Sequence, residues 1–301
     1  PARMRSREGQ NRPPPLPLPW GWEGREGEWV WASHTPSTRV RMTDVLVDIV
    51  RTYRALKAAH GREVELELRL GNCDGCNQFL PGVPKHVFEQ LEEDMTADPS
   101  LVTRRDTWSE TIDYHYVGTS GQPMRTRVSV DSEQMRMSNE HITKRLVHKA
   151  LVKRVDGCDE GVARICLSHE IPVTDPPRSC VPTHIRIKQK KVFYDVRGEM
   201  GVIWAYELSR TWSANSRAAV EHRQHVSEPM YEVECELVDE KGAYTASISD
   251  EEMQQSLMLK LRCVLGTDAT TPLGCVSEYA RVENHDARRG KRVGSRSRQN
   301  G

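Results

Sequence analysis

The sequence predicts a mainly β (α+β) fold: an antiparallel sheet closed into an eight-stranded barrel, flanked by helices. Two observations carry this. Eight segments alternate apolar with polar residues and are bounded by Gly, Pro, Asp or Asn, the mark of half-buried strands. Short connections join them, and such a series hides its edges best by closing on itself. Helical periodicity is confined to short stretches before, between and after these segments.

Residues 1–40 hold Pro13, Pro14, Pro15, Pro17 and Pro19, then Trp20, Trp22, Trp29 and Trp31. Proline removes donors and fixes φ, so this stretch reads as a flexible leader. From Thr43 to about His60, Val45, Leu46, Ile49, Val50, Tyr53 and Leu56 recur at helical spacing before Gly61. A second helix is expected over Lys85–Met95, after Pro84. The strands are expected at Arg62–Gly71, Thr107–Val117, Arg125–Val130, Ile142–Val155, Arg164–Ile171, Thr183–Tyr194, Val202–Thr211 and Tyr231–Val238. Ser249 and Glu252 form a capping box that opens a last helix to about Leu265. The folded domain is therefore expected over 41–268, with 269–301 a flexible tail made basic by Arg288, Arg289, Lys291, Arg292, Arg296 and Arg298.

Over the 301 residues, 43 Lys and Arg balance 43 Asp and Glu, so net charge points to no partner. The signal lies in how the charges are grouped. No apolar run approaches a membrane span, and nothing near the start resembles a secretory signal. The cysteines fall mostly in apolar segments (Cys166, Cys235, Cys263), which suits buried thiols in a reducing compartment. Cys73-Asp74-Gly75-Cys76 lacks a second ligand pair at zinc spacing and reads as a turn.

Along a strand, side chains alternate between faces, so Glu63, Glu65, Glu67 and Arg69 share one face against Val64, Leu66, Leu68 and Leu70. Glu232, Glu234 and Glu236 likewise oppose Val233, Cys235 and Leu237. A solvated polar face is the ordinary explanation. Yet glutamate is a poor strand former, and carboxylates about 6.8 Å apart repel by roughly 2–3 kcal/mol at an effective dielectric near 20. Two such strands make sense if a cation or basic side chains neutralise them. Arg125, Arg127, Lys144, Arg186, Lys188 and Lys190 stand at alternate positions on the middle strands. If acidic and basic faces both point into a barrel, the lumen suits a metal-bound polyphosphate: oxygen ligands take Mg²⁺ or Mn²⁺, and Lys and Arg take phosphate oxygens. A solvated face or an RNA-binding surface remains the alternative for the basic strands alone.

These residues resemble the triphosphate tunnel metalloenzymes, in particular the RNA 5'-triphosphatases of mRNA capping in fungi, protozoa and large DNA viruses. Glu65-Leu66-Glu67-Leu68-Arg69-Leu70-Gly71 resembles the opening motif, and Glu232, Glu234 and Glu236 the closing Glu-x-Glu-x-Glu strand. Arg164–Pro172 resembles a central strand with a functional glutamate, and Thr183–Tyr194 the basic strand. The similarity runs in order from about Thr43 to Leu265. It implies that Glu65, Glu67 and Glu236 hold Mg²⁺ or Mn²⁺, and that Glu232 completes an acidic floor. Glu170, with Glu234, would position and deprotonate water. Arg69, Arg127, Lys144, Arg186, Lys188 and Lys190 would bind phosphates. Trp204–Ser209 resembles a strand carrying Arg-x-Asp-x-Thr, with Ala205 in place of the basic residue and Glu207, part of the acidic floor, in place of Asp; Lys191 or Arg186 could compensate.

The implied reaction removes the γ-phosphate of 5'-triphosphate RNA as the first step of capping, in the nucleus or, for a viral member, in a viral factory. A separate guanylyltransferase is implied as a partner, homodimerisation stays open, and no membrane is involved. The alternatives are a tunnel phosphatase for nucleoside triphosphate, thiamine triphosphate or polyphosphate, a non-catalytic RNA-binding barrel, and a structural barrel with solvated charge.

Overall fold

The computed structural model describes residues 41–276, apart from 75–77, 104–106, 119–120, 122, 132–135, 155–160, 174–180, 196–202, 239–245, 268 and 270. The Pro/Trp-rich leader, Cys76 and the Arg/Lys-rich end of the chain lie outside the described residues.

The elements follow in chain order: α1 (Met42–His60), β1 (Val64–Cys73), β2 (Phe79–Pro81), α2 (Lys85–Ala97), β3 (Leu101–Thr103), β4 (Ser109–Val117), β5 (Pro123–Asp131) and β6 (Arg136–Arg154). Then come β7 (Val162–Pro172), β8 (His184–Asp195), β9 (Trp204–Ala214), α3 (Arg217–Val226), β10 (Met230–Leu237), α4 (Asp250–Leu265) and β11 (Leu273–Val276). The strand order is β10-β9-β8-β4-β5-β6-β7-β1, and β1 also pairs with β10, so eight antiparallel strands close a barrel. Closure leaves those eight without a free edge.

The hydrophobic core lies outside this barrel. Leu66 and Leu68 of β1, Trp204 and Leu208 of β9, and Val233 and Cys235 of β10 turn outward. They meet Val45, Ile49 and Tyr53 of α1, Phe88 of α2, and Met253, Leu257 and Leu261 of α4. A smaller cluster of Ile112, Ile185, Ile187 and Trp212 is covered by Val220 of α3. Because strand side chains alternate, an apolar outer face under helices leaves the inner face free to be polar. Ser249 caps α4 by accepting from the Glu252 amide while Glu252 accepts from the Ser249 amide, and Gly266 closes the helix in the left-handed region at φ 61°.

Several elements differ from the sequence reading. The helix α3 carries one buried apolar residue, Val220, so it shows no periodic stripe; its Ser216 cap accepts from Ala219. The strands β2 and β3 have three residues each, too few to show alternation. Within the segment expected to be tail, Leu273–Val276 pairs with β6 at Leu151–Arg154. The strand β6 begins earlier than expected, at Arg136, and shifts register between Leu146 and His148.

Candidate functional site

Register across the barrel fixes which side chains share the lumen. On β1, Glu65, Glu67 and Arg69 pair with Ser168, Cys166 and Arg164 of β7; on the other side, Glu67 and Arg69 pair with Glu236 and Glu234 of β10. Further round, Glu234 and Glu232 pair with Glu207 and Ser209 of β9, and Ser209 and Thr211 with Lys190 and Lys188 of β8. Thr111 and Asp113 of β4 continue the ring from Lys188 and Arg186, Arg127 of β5 pairs with Asp113, and Lys144 of β6 with Glu170 of β7. The expected residues Glu65, Glu67, Arg69, Arg127, Lys144, Glu170, Arg186, Lys188, Lys190, Glu207, Glu232, Glu234 and Glu236 therefore all face one enclosure.

The charges there are intimately paired. Lys144 bonds to Glu65 and lies 3.6 Å from Glu67 and 3.5 Å from Glu170. Ser168 donates to Glu65 at 3.1 Å. The Arg69 guanidinium stands 3.0 Å from Glu67, 2.7 Å from Glu234 and 3.9 Å from Glu232. Glu232 also receives Arg186 at 2.5 Å and Thr211 at 2.6 Å. Lys188 and Lys190 both donate to Glu207, at 2.7 and 3.0 Å. Burial works against charge on Glu207, but these two ammonium groups outweigh it and hold the carboxyl far below its usual range. Burial is likewise outweighed at Lys144, which Glu65, Glu67 and Glu170 keep firmly protonated.

Glu236 is the exception. Among the described residues no cationic side chain pairs with it, and its carboxylate is exposed to the lumen. Enclosure by the wall, reinforced by Glu65, Glu67 and Glu207, pushes it up to about 8. A cavity of about 270 Å³ beside it is lined by Glu234, Glu236, Glu207, Lys190 and, from α1, Lys57. All-oxygen donors suit a hard divalent ion, and Glu65, Glu67 and Glu236 supply them, with Glu236 the one that a bound cation would return to its ionised form. Lys144 draws Glu65 aside and Arg69 draws Glu67, and the three carboxylates do not all lie within 4.8 Å of one another. The residues fit a divalent cation once Glu65 turns from Lys144.

Among the charged residues of the lumen, Asp113, Lys149 and Arg164 escaped the sequence reading. Asp113 chelates Arg127 with bonds of 2.7 and 2.9 Å; a single acid on an alternating strand gave no pattern. Lys149 pairs with Cys166, the partner of Glu67, and so shares its face. The irregularity between Leu146 and His148 places Lys149 and Lys144 on one side despite their odd separation. Arg164 faces the lumen opposite Arg69 and stacks on Phe79 of β2 at 4.5 Å. Lys191, a candidate for the missing basic residue of β9, instead faces outward beside Glu92 at 3.6 Å. Arg186, the other candidate, points inward but is engaged by Glu232.

No family model matches the sequence, and no curated protein matches it. Solved structures do. The chain is similar to the S. pombe Pct1 RNA triphosphatase in complex with the Spt5 CTD, with a TM-score of 0.55 and 15% identity, over 77% of this chain and 96% of that one. It is similar to the same triphosphatase alone with a TM-score of 0.52 and 14% identity, over 78% of this chain and 100% of that one. The eight-stranded antiparallel barrel is thus a fold that this chain shares with those solved structures.

Proposed function

We propose that this chain is a metal-dependent RNA 5'-triphosphatase, removing the γ-phosphate of triphosphate-ended RNA to leave a diphosphate end. The observation that carries this is one lumen that gathers the carboxylates Glu65, Glu67 and Glu236 from β1 and β10 and the cations Arg127, Lys188 and Lys190 from β5 and β8. Likeness of fold to an RNA triphosphatase supports the choice of substrate end.

Glu65, Glu67 and Glu236 would hold Mg²⁺ or Mn²⁺. When bound, the ion supplies Lewis acidity towards phosphoryl oxygens. The chain's own residues do the rest. Arg127, held flat by Asp113, presents its remaining donors to phosphate oxygens. Lys188 and Lys190 leave Glu207 for the more highly charged phosphates and stabilise the bridging and equatorial oxygens as in-line transfer proceeds. Glu170 is held at 3.4 Å by Arg125 and 3.5 Å by Lys144, contacts loose enough for its free oxygen to orient water. Glu234, held at 2.7 Å by Arg69, is less free than Glu170 to turn towards water. Lys144, between Glu65, Glu67 and Glu170, would keep these carboxylates apart before substrate arrives and contact phosphate afterwards. Arg69 and Arg186, each engaged by carboxylates, would act on phosphate only after those pairs open.

With this role go a site of work in the nucleus or a viral factory and a separate guanylyltransferase to take the diphosphate end. The test is phosphate release from γ-labelled triphosphate RNA, with and without Mg²⁺ or Mn²⁺, alongside nucleoside triphosphate and polyphosphate. Release that needs the divalent ion and disappears in Glu65→Ala and Glu236→Ala is expected. Full activity in both variants, or cleavage of free nucleotides alone, would sink the assignment.

A further inference from the structure

We propose that His60, Glu63 and His169 form a second metal site, outside the barrel, for a borderline transition ion such as Zn²⁺. His60 ends α1, and Glu63 follows one 3₁₀ turn later, where residues three apart come to lie over one another. Gly61, at φ 59°, lets the chain turn between them. His169 stands on β7 at the register position of Val64, immediately after that turn. The closing of β1 onto β7 is what brings the third side chain to the other two.

The ligand atoms of all three lie within 4.8 Å of one another, and among the described residues they form the one such group of three. His169 Nε2 stands 3.1 Å from a Glu63 oxygen, and the two imidazole rings are 4.0 Å apart between centroids. Two imidazoles and one carboxylate are the His₂Glu donor set that zinc takes in three-ligand sites, with the fourth position left open. Imidazole nitrogen separates this site from Glu65, Glu67 and Glu236 of the lumen, whose carboxylate oxygens suit harder ions. The His60 side chain is exposed and Glu63 half-buried, so an ion reaches the cluster from solvent without entering the tunnel.

Glu63 lies two residues before Glu65, and His169 one residue before Glu170. An ion at this site would tie the end of α1 to β7 and fix the wall at the root of both functional glutamates. The proposal stands whether or not the lumen is a triphosphatase site, because the ligands and the probe differ.

The chelator-stripped full chain is titrated with Co²⁺ in a large excess of Mg²⁺, reading visible absorption and calorimetric stoichiometry. One equivalent of Co²⁺ is expected to bind with a d–d band of low coordination number, to be displaced by Zn²⁺, and to raise the melting temperature. His169→Ala and His60→Ala are each expected to weaken binding by about tenfold or more, and Glu236→Gln to leave it unchanged. His60 is exposed, so its variant tests the site without threatening the fold; circular dichroism checks both. Equal affinity in the wild type and both His variants, binding lost only in Glu236→Gln, or no cobalt bound in the presence of Mg²⁺ would each overturn the proposal.

Discussion

Glu67 on β1 and Glu236 on β10 occupy directly paired positions of neighbouring antiparallel strands, so two carboxylates face one lumen across a single cross-strand step. Like charges so placed destabilise a sheet. Arg69 engages Glu67 at 3.0 Å, but Glu236 has no such partner among the described residues. The wall thus holds a repulsion that a divalent ion would relieve.

Glu236→Gln should therefore separate stability from function. Pushed up to about 8, Glu236 must take up a proton near neutral pH that the unfolded chain does not hold. Glutamine avoids that cost and, even with solvent screening in the lumen, is expected to stabilise the metal-free protein by roughly 1 kcal/mol or more, a shift of a few degrees in melting temperature. Mn²⁺ is expected to raise the melting temperature of the wild type, and the same change should abolish that rise. Melting curves with and without Mn²⁺ measure both effects. A variant less stable than the wild type in chelator would mean that Glu236 carries no repulsion.

The Asp113–Arg127 pair makes a prediction in pH. Burial would raise the Asp113 carboxyl, but the hydrogen bonds and charge of Arg127 more than offset it and lower it from 3.8 to about 2. A depressed carboxyl stabilises the folded state above its unfolded value and loses that contribution as pH falls towards the folded one. Asp113 is 2% exposed, so about 2 kcal/mol of stability should vanish between pH 4 and pH 2. Acid unfolding of Asp113→Asn, less stable at neutral pH, should show a correspondingly shallower slope in that window. An unchanged slope would remove the pair from the stability of the lumen.

Much of this was legible because charge and alternation coincide. Over Glu65–Arg69 of β1 and Glu232–Glu236 of β10 every second residue is Glu or Arg, so strand, face and candidate ligands could be read together. The capping box likewise marked the start of α4 by two side chains alone. What stayed hidden depends on register. Lys149 reaches the lumen only because β6 slips between Leu146 and His148, and no alternation rule foresees a slip. Asp113 gains meaning only when Arg127 is known to lie opposite it. Alternation put Glu63 on the face of Glu65, but it lies in the 3₁₀ turn before β1, and its nearness to His169 follows from the pairing of Val64 with that residue.

Gly71, which ends the opening motif, has a steric reason to be glycine. A Cβ there would stand 2.2 Å from the Leu80 carbonyl oxygen and 2.6 Å from the Phe79 ring. Since Gly71 pairs with Pro81, Gly71→Ala is expected to pry β2 from β1 and to free Arg164 from Phe79. Amide exchange at Asn72 and Cys73 should rise sharply while α4 keeps its protection. Unchanged exchange along the end of β1 would show that β2 absorbs the methyl group.

Lys188 allows the role of a cation in the fold to be told from its role in the reaction. It is 4% exposed, 2.7 Å from Glu207 and 3.6 Å from Glu234. Burial disfavours its charge, but Glu234, Glu207 and Glu232 outweigh that and raise it above the ordinary lysine value. Lys188→Met should cost about 3 kcal/mol or more, because it strands carboxylates in the wall. Adding Glu207→Gln removes the carboxylate that both Lys188 and Lys190 engage, so the double variant should recover a good part of that loss. If Lys188 binds phosphate as proposed, phosphate release should not recover with it. Urea unfolding and the release assay on the single and double variants measure the two quantities side by side. Recovery of both together would make Lys188 a structural counter-ion and leave phosphate binding to Lys190 and Arg127.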